Sequence, residues 1–155
     1  MTGLYLAGGV GTGKSTLAVW AGCELIRTER VERALFLALP DLLDQMRSAY
    51  GQHGEHATAD QVLGLARTVP LLILDDLGAE RVTAWTAERL EALVYARHGN
   101  PALYTIYTSN LELEALERYM ARANEPDQAR RICARIGEDC GGCQIVMKGV
   151  IRKYG

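Results

Sequence analysis

The stretch Gly8-Gly9-Val10-Gly11-Thr12-Gly13-Lys14-Ser15 satisfies G-x-x-x-x-G-K-[ST] at every fixed position. It follows the apolar run Leu4-Tyr5-Leu6-Ala7 and opens into a helical run from Thr16 to Arg27. That order of strand, glycine loop and helix separates a phosphate-binding loop from a chance match. The four glycines allow a tight turn that brings backbone N–H groups to a phosphate, and the helix points its positive end at the same place. Residues Gly9, Val10, Gly11, Thr12, Gly13, Lys14, Ser15 and Thr16 are therefore the predicted cradle. Lys14 is placed to reach the β- and γ-phosphates of a nucleoside triphosphate, and Ser15 to meet Mg²⁺.

Such a loop commits the rest of the chain to alternating strands and helices. Ala34 to Leu39 reads as a second strand, a continuous apolar run expected to be buried in a parallel sheet. Pro40 suits the start of a helix reaching about Tyr50, and Gly51 to Asp60 reads as an exposed polar loop before a short helix from Gln61 to Arg67. Val69 to Leu74 is a third strand, its proline tolerable only at the beginning, with Asp75-Asp76 directly after it. Thr83 is a plausible N-cap for a helix to about His98, and Leu103 to Thr108 is a β-branched and aromatic fourth strand. Leu113 to Met120 and Asp127 to Ile136 follow as helices, and Gln144 to Lys148 as a weaker fifth strand. The helix after the glycine loop is apolar almost all round, which predicts burial on most of its faces, Cys23 included. The expectation is one α/β domain over 1–155, built on a parallel sheet with right-handed crossovers.

An apolar strand ending in Asp75-Asp76 completes the site. Ligands in open parallel sheets bind beyond the carboxyl ends of the strands, where this pair and the glycine loop both lie. Asp75 is the expected Mg²⁺ partner and Asp76 the first choice to polarise an attacking water, with Glu80 as a rival base. Alone, an Asp-Asp pair is as often a solvated strand end or a helix cap. Thr108-Ser109-Asn110 closes the fourth strand with small polar groups, and an amide there can bond γ-phosphate and water together, although Ser-Asn after a strand, taken alone, is more often just a turn.

Bulk properties exclude little else. At 155 residues the chain has room for one sizeable core, and no apolar run approaches the ~20 residues of a membrane span. The glycine loop begins too early for a signal peptide to precede it, so a cytoplasmic protein is expected. A net charge of −2 neither supports nor excludes a nucleic-acid partner. Cys140 and Cys143 form C-x-x-C, but with Cys133 they offer zinc only three ligands, and Cys-Gly-Gly-Cys sits in a turn rather than at a helix start. Reduced, non-functional thiols are expected.

With these pieces assembled, the sequence resembles the AAA+ ATPases of the DnaC/DnaI helicase-loader and IstB transposition-helper group. The matching segments are GLYLAGGVGTGKSTLA, ALFLALPDLL, LLILDDLGAE and YTIYTSNL, with ARRICARI as a weaker match. The resemblance implies a P-loop NTPase fold with a five-stranded parallel sheet flanked by helices, ATP or ADP with Mg²⁺, and ATP hydrolysis. It assigns Asn110 the first sensor role, and Arg131 or Arg135 the arginine finger that reaches ATP on a neighbouring subunit. Arg152 matches the second sensor, with Lys153 as its substitute. Partners implied are further copies of the chain, a replicative helicase or transposase, and single-stranded DNA. Departures from the family bear on function: the expectation is an AAA+ core without the family's N-terminal partner-binding region, the acid pair is Asp75-Asp76 where AAA+ proteins at large prefer Asp-Glu, and Gly51 to Asp60 holds Glu55 and Asp60 but no Lys or Arg. A nucleotide-gated adaptor with little hydrolysis is the alternative expectation. A small-molecule kinase shares the P-loop, but the sensor-like Asn110 argues against it.

Overall fold

A computed structural model describes residues 1–49, 56–79, 82–122, 125–142 and 144–149. In chain order the elements are β1 (Gly3–Gly8), α1 (Lys14–Arg27), β2 (Ala34–Ala38), α2 (Leu39–Ala49), α3 (His56–Thr68) and β3 (Leu71–Leu77). They continue through α4 (Ala84–Arg97), β4 (Tyr104–Ser109), α5 (Leu113–Ala121), α6 (Pro126–Asp139) and β5 (Gln144–Met147). The strands form one sheet in the order β2-β3-β4-β1-β5, and every neighbouring pair is parallel. The predicted five-stranded parallel α/β sheet is therefore present, and β1 and β3 flank β4.

Side-chain alternation along the strands divides the core in two. Tyr5, Ala7, Leu72, Leu74 and Tyr107 face a large cluster completed by α2 to α6, whereas Leu6, Leu71, Ile73 and Ile106 face a small cluster under α1. Only α1 contributes helix residues to that second cluster, and it rests on the sheet through the small residues Ala18 and Gly22. Among the described residues no further layer packs on its outward side. Trp20 is accordingly 61% exposed, and Val19, Ile26 and Cys23 are exposed too. The sequence expectation of burial on most faces of α1 is corrected: apolar composition reports what a helix is able to bury, while the number of layers decides what it does bury.

Three further boundaries differ from expectation. The strand β2 stands at the sheet edge, so it is only partly buried, with Phe36 exposed. The helix α3 begins at His56, which shortens the expected loop from Gly51 to Asp60, and 51–55 lie outside the described residues. Asp75 and Asp76 lie inside β3 rather than after it, because the strand runs on to Leu77. Elsewhere the local signals hold. Thr83 caps α4 in a reciprocal pair with Thr86, and Pro126 occupies the first turn of α6. No helix among the described residues is long and apolar enough to cross a membrane.

Candidate functional site

The glycine loop leaves β1 at Gly8 (φ +150°), where a Cβ would run into the carbonyl oxygen of Met147 on β5. Gly13 (φ +90°) then turns the chain into α1 from a left-handed conformation that other residues adopt only at a cost. Thr12 tightens the loop by donating from Oγ1 to the Gly9 carbonyl at 2.9 Å. The helix has no side-chain N-cap and no acid in its first turn. Its first hydrogen bond runs from Leu17 N–H to Gly13 O, so the preceding amides of Lys14, Ser15 and Thr16 are not used by the helix. Such an uncapped, positive end suits an anion.

Lys14 is 5% exposed, and its Nζ donates to Gly9 O and to Asn110 Oδ1, both at 3.0 Å. The second bond joins the start of α1 to the end of β4 and puts two sequence-predicted residues in contact. A cavity of about 320 Å³ is lined by Lys14, Ser15, Thr16, Asp76 and Asn110, together with the loop residues Val10, Gly11 and Gly13. A second, of about 450 Å³, lies between Gly8 to Val10, Thr12, Asn110 and the end of β5. The two share Val10 and Asn110.

The acids owe their placement to an irregularity. Register between β3 and β4 shifts from Leu74↔Tyr107 to Leu77↔Ser109, so Asp75 and Asp76 together oppose Thr108. At this bulge Asp76 takes φ +59°, a strained value for a non-glycine residue that Asp accepts for about 1 kcal/mol. Asp76 lines the first cavity, and Asp75 is 7% exposed. Thr108 Oγ1 donates to Asp75 Oδ1 at 2.6 Å and accepts from the Asp76 amide at 3.0 Å. Ser109 and Leu111 steady the same strand end, through Ser109 Oγ on Leu77 O and Tyr5 Oη on Leu111 O.

As donors for a metal, Ser15, Asp75 and Asp76 are all hard oxygens, and among the described residues no cation pairs with either acid. Among the described residues no group of three or more His, Cys, Asp or Glu is arranged to hold a metal ion by itself. This donor set fits Mg²⁺, which is usually held by one or two carboxylates plus substrate phosphates rather than by an all-protein cage.

The arginines sit elsewhere. Arg131 Nε donates to Glu91 Oε1 at 2.9 Å, and Arg135 Nη1 lies 3.7 Å from the same oxygen with its guanidinium over the Tyr95 ring. Gln128 Nε2 bonds the other Glu91 oxygen, so one α4 carboxylate gathers three α6 side chains. The Arg131 hydrogen bond holds the Glu91 carboxyl below its ordinary range. Neither arginine lines the two cavities at the glycine loop. Glu80, Arg152, Lys153 and Cys143 lie outside the described residues.

Sequence reasoning missed Glu91 and gave Thr108 no role of its own, although a hydroxyl on the strand beside two acids is a readable cue. It also missed Arg97, which is 2% exposed. Its guanidinium donates to the carbonyls of Ala66, Val69 and Tyr104 and to Thr105 Oγ1, and desolvation lowers its pKa to about 10. Among Cys23, Cys133 and Cys140 no disulfide forms. Burial pushes the Cys133 thiol up to about 12, while Cys23 is exposed rather than buried as expected.

Comparison with known proteins agrees with this geometry. A family model described as "IstB-like ATP binding protein" matches residues 2–147. The replicative helicase loader DnaI of Bacillus subtilis (strain 168) is 25% identical over 136 residues, covering 88% of this chain and 42% of that protein. The chain thus spans less than half the length of that relative. A crystal structure of DnaI superposes with a TM-score of 0.79 at 28% identity, covering 96% of this chain and 74% of the other. The crystal structure of the DnaC helicase loader gives 0.66 at 25% identity, over 95% and 78%.

Proposed function

This chain belongs to the IstB-like ATP-binding protein family, and on that premise we propose that it is a Mg²⁺-dependent AAA+ ATPase acting in DNA replication as a helicase loader does. The observation that carries the reading is the cavity where Lys14, Ser15, Asp76 and Asn110 meet. The triphosphate lies along the glycine loop and the first turn of α1, and the adjoining cavity by β5 takes the nucleoside. Lys14 leaves Asn110 for the β- and γ-phosphates, and the released carboxamide orients γ-phosphate and water. Asp76 accepts the proton of that water. Ser15 and Asp75 hold Mg²⁺, which when bound neutralises developing phosphate charge.

Arg131 or Arg135 completes the site from a neighbouring copy. Their place on α6, away from this chain's own cavity, supports a role in trans and with it a homo-oligomer carrying ATP between subunits. Arg152 acts as the second sensor. A replicative helicase is the proposed partner, on the strength of the similarity to the replicative helicase loader DnaI, and single-stranded DNA the proposed stimulus.

Steady-state ATP turnover of the wild type and Lys14→Ala, with and without single-stranded DNA, tests this. Turnover stimulated by DNA and lost with Lys14 is expected. ATP binding without turnover would replace the enzyme reading by that of a nucleotide-gated adaptor. No ATP binding at all would refute both.

A further inference from the structure

The bulge in β3 creates a requirement that one side chain meets. Two consecutive strand residues ordinarily point to opposite faces, and an inserted residue takes its amide out of the ladder. The Asp76 amide, freed in this way, finds its acceptor in Thr108 Oγ1. A hydroxyl has one proton to give, and that of Thr108 goes to Asp75 Oδ1. Thr108 is fully buried, so water is not positioned to replace it. Asp75 Oδ2 keeps its lone pairs, since no other hydrogen bond to the Asp75 carboxylate occurs among the described residues. Two residues further on, just past the end of β4, stands Asn110, whose carboxamide oxygen holds Lys14.

We propose that Thr108 is a positioning residue for the metal half of the site: its hydroxyl aims the Asp75 carboxylate and pins the bulge that presents Asp76. The end of β4 thereby joins the acids, through Thr108, to the P-loop lysine, through Asn110. This inference rests on the Mg²⁺–ATP reading above and assigns a residue that the reading leaves without a task.

The test is equilibrium binding of a fluorescent ATP analogue, measured with Mg²⁺ and with EDTA, for the wild type, Thr108→Val, Thr108→Ala and Thr108→Ser. Outer-shell partners of a metal site commonly change metal affinity by roughly 10–100-fold. Thr108→Val should therefore shrink the Mg²⁺-dependent gain in affinity by about tenfold or more, with affinity in EDTA nearly unchanged. Thr108→Ser, which keeps the hydroxyl, should behave as the wild type. Thr108→Ala gives the same readout if the valine variant does not fold. A full Mg²⁺-dependent gain in Thr108→Val or Thr108→Ala overturns the proposal, as does an equal loss in Mg²⁺ and EDTA. So does failure of serine to restore the gain. A wild type that binds no nucleotide would instead refute the function proposed above, which keeps the two failures apart.

Discussion

Lys14 and Asn110 meet at 3.0 Å across 96 positions of chain, and among the described residues the lysine is held by two neutral oxygens and no carboxylate. A buried ammonium in that setting is only partly compensated, and a phosphate oxygen is a better partner than a carboxamide. The resting contact thus stores the lysine where an anion is able to claim it.

Asn110 should accordingly separate binding from turnover. Asn110→Ala leaves Lys14 available, so nucleotide affinity is expected to stay within a few-fold. Turnover should fall by roughly 10²–10³, the usual loss when one oriented polar group at a reacting centre is removed. Asn110→Asp should do the reverse, weakening binding, because a carboxylate competes with phosphate for Lys14. Titration with a fluorescent nucleotide beside single-turnover kinetics distinguishes these, and an Asn110→Ala enzyme of wild-type rate would remove the sensor role.

Arg131 and Arg135 share Glu91 in this chain, so a role for either at a triphosphate requires a second subunit. The expected result for Arg131→Ala or Arg135→Ala is preserved nucleotide binding with hydrolysis reduced by about 10³ or more for the residue that is the finger. Mixing that variant with Lys14→Ala subunits should recover part of the activity, since one copy supplies the loop and the other the arginine. Full turnover by both arginine variants would end the trans model.

The α4–α6 link should weaken in acid. The Arg131 hydrogen bond lowers the Glu91 pKa from the ordinary 4.5, so the folded state binds this proton less readily than the unfolded chain. The associated stability is fully present above pH 4.5 and is lost as pH falls through the lower folded value. Both partners meet solvent, which keeps the effect small. Thermal melts from pH 6 to about 3 should show a shallower acid limb for Glu91→Gln, and superimposable profiles would contradict the assignment.

Arg97 is expected to matter to the fold and not to the chemistry. Arg97→Met strands the carbonyls of Ala66, Val69 and Tyr104, where α3 ends beside the starts of β3 and β4. The cost should be about 3 kcal/mol and the fall in Tm roughly 6–12 °C for a domain of this size. Differential scanning calorimetry checks this, and a change within about 2 °C would show the carbonyls resatisfied.

How much of this was legible beforehand follows from the range of each interaction. The glycine loop, the Thr83 cap and the strand ending in acids are written in contiguous residues, because φ restrictions, capping bonds and hydrophobic runs act over a few positions. Those features were sufficient to place the loop and the acids at the carboxyl ends of strands in one parallel sheet. The exposure of Trp20 and Cys23 was not legible in the same way. It depends on how many layers the rest of the chain stacks on each side of the sheet, a property of the whole fold.

Gly8 to Ser15 and Asp75-Asp76 were thus placed by sequence, since local backbone geometry and strand order leave them few other places to go, while Asn110 was singled out by the family resemblance. The tertiary structure decided how they work together. It set one extra residue into β3 opposite Thr108, turned Asp76 toward the cavity, and bonded Lys14 to Asn110. It also tied both candidate fingers to Glu91. The physical reason is that register and side-chain contact between distant strands and helices are settled by packing, which no short stretch of sequence contains.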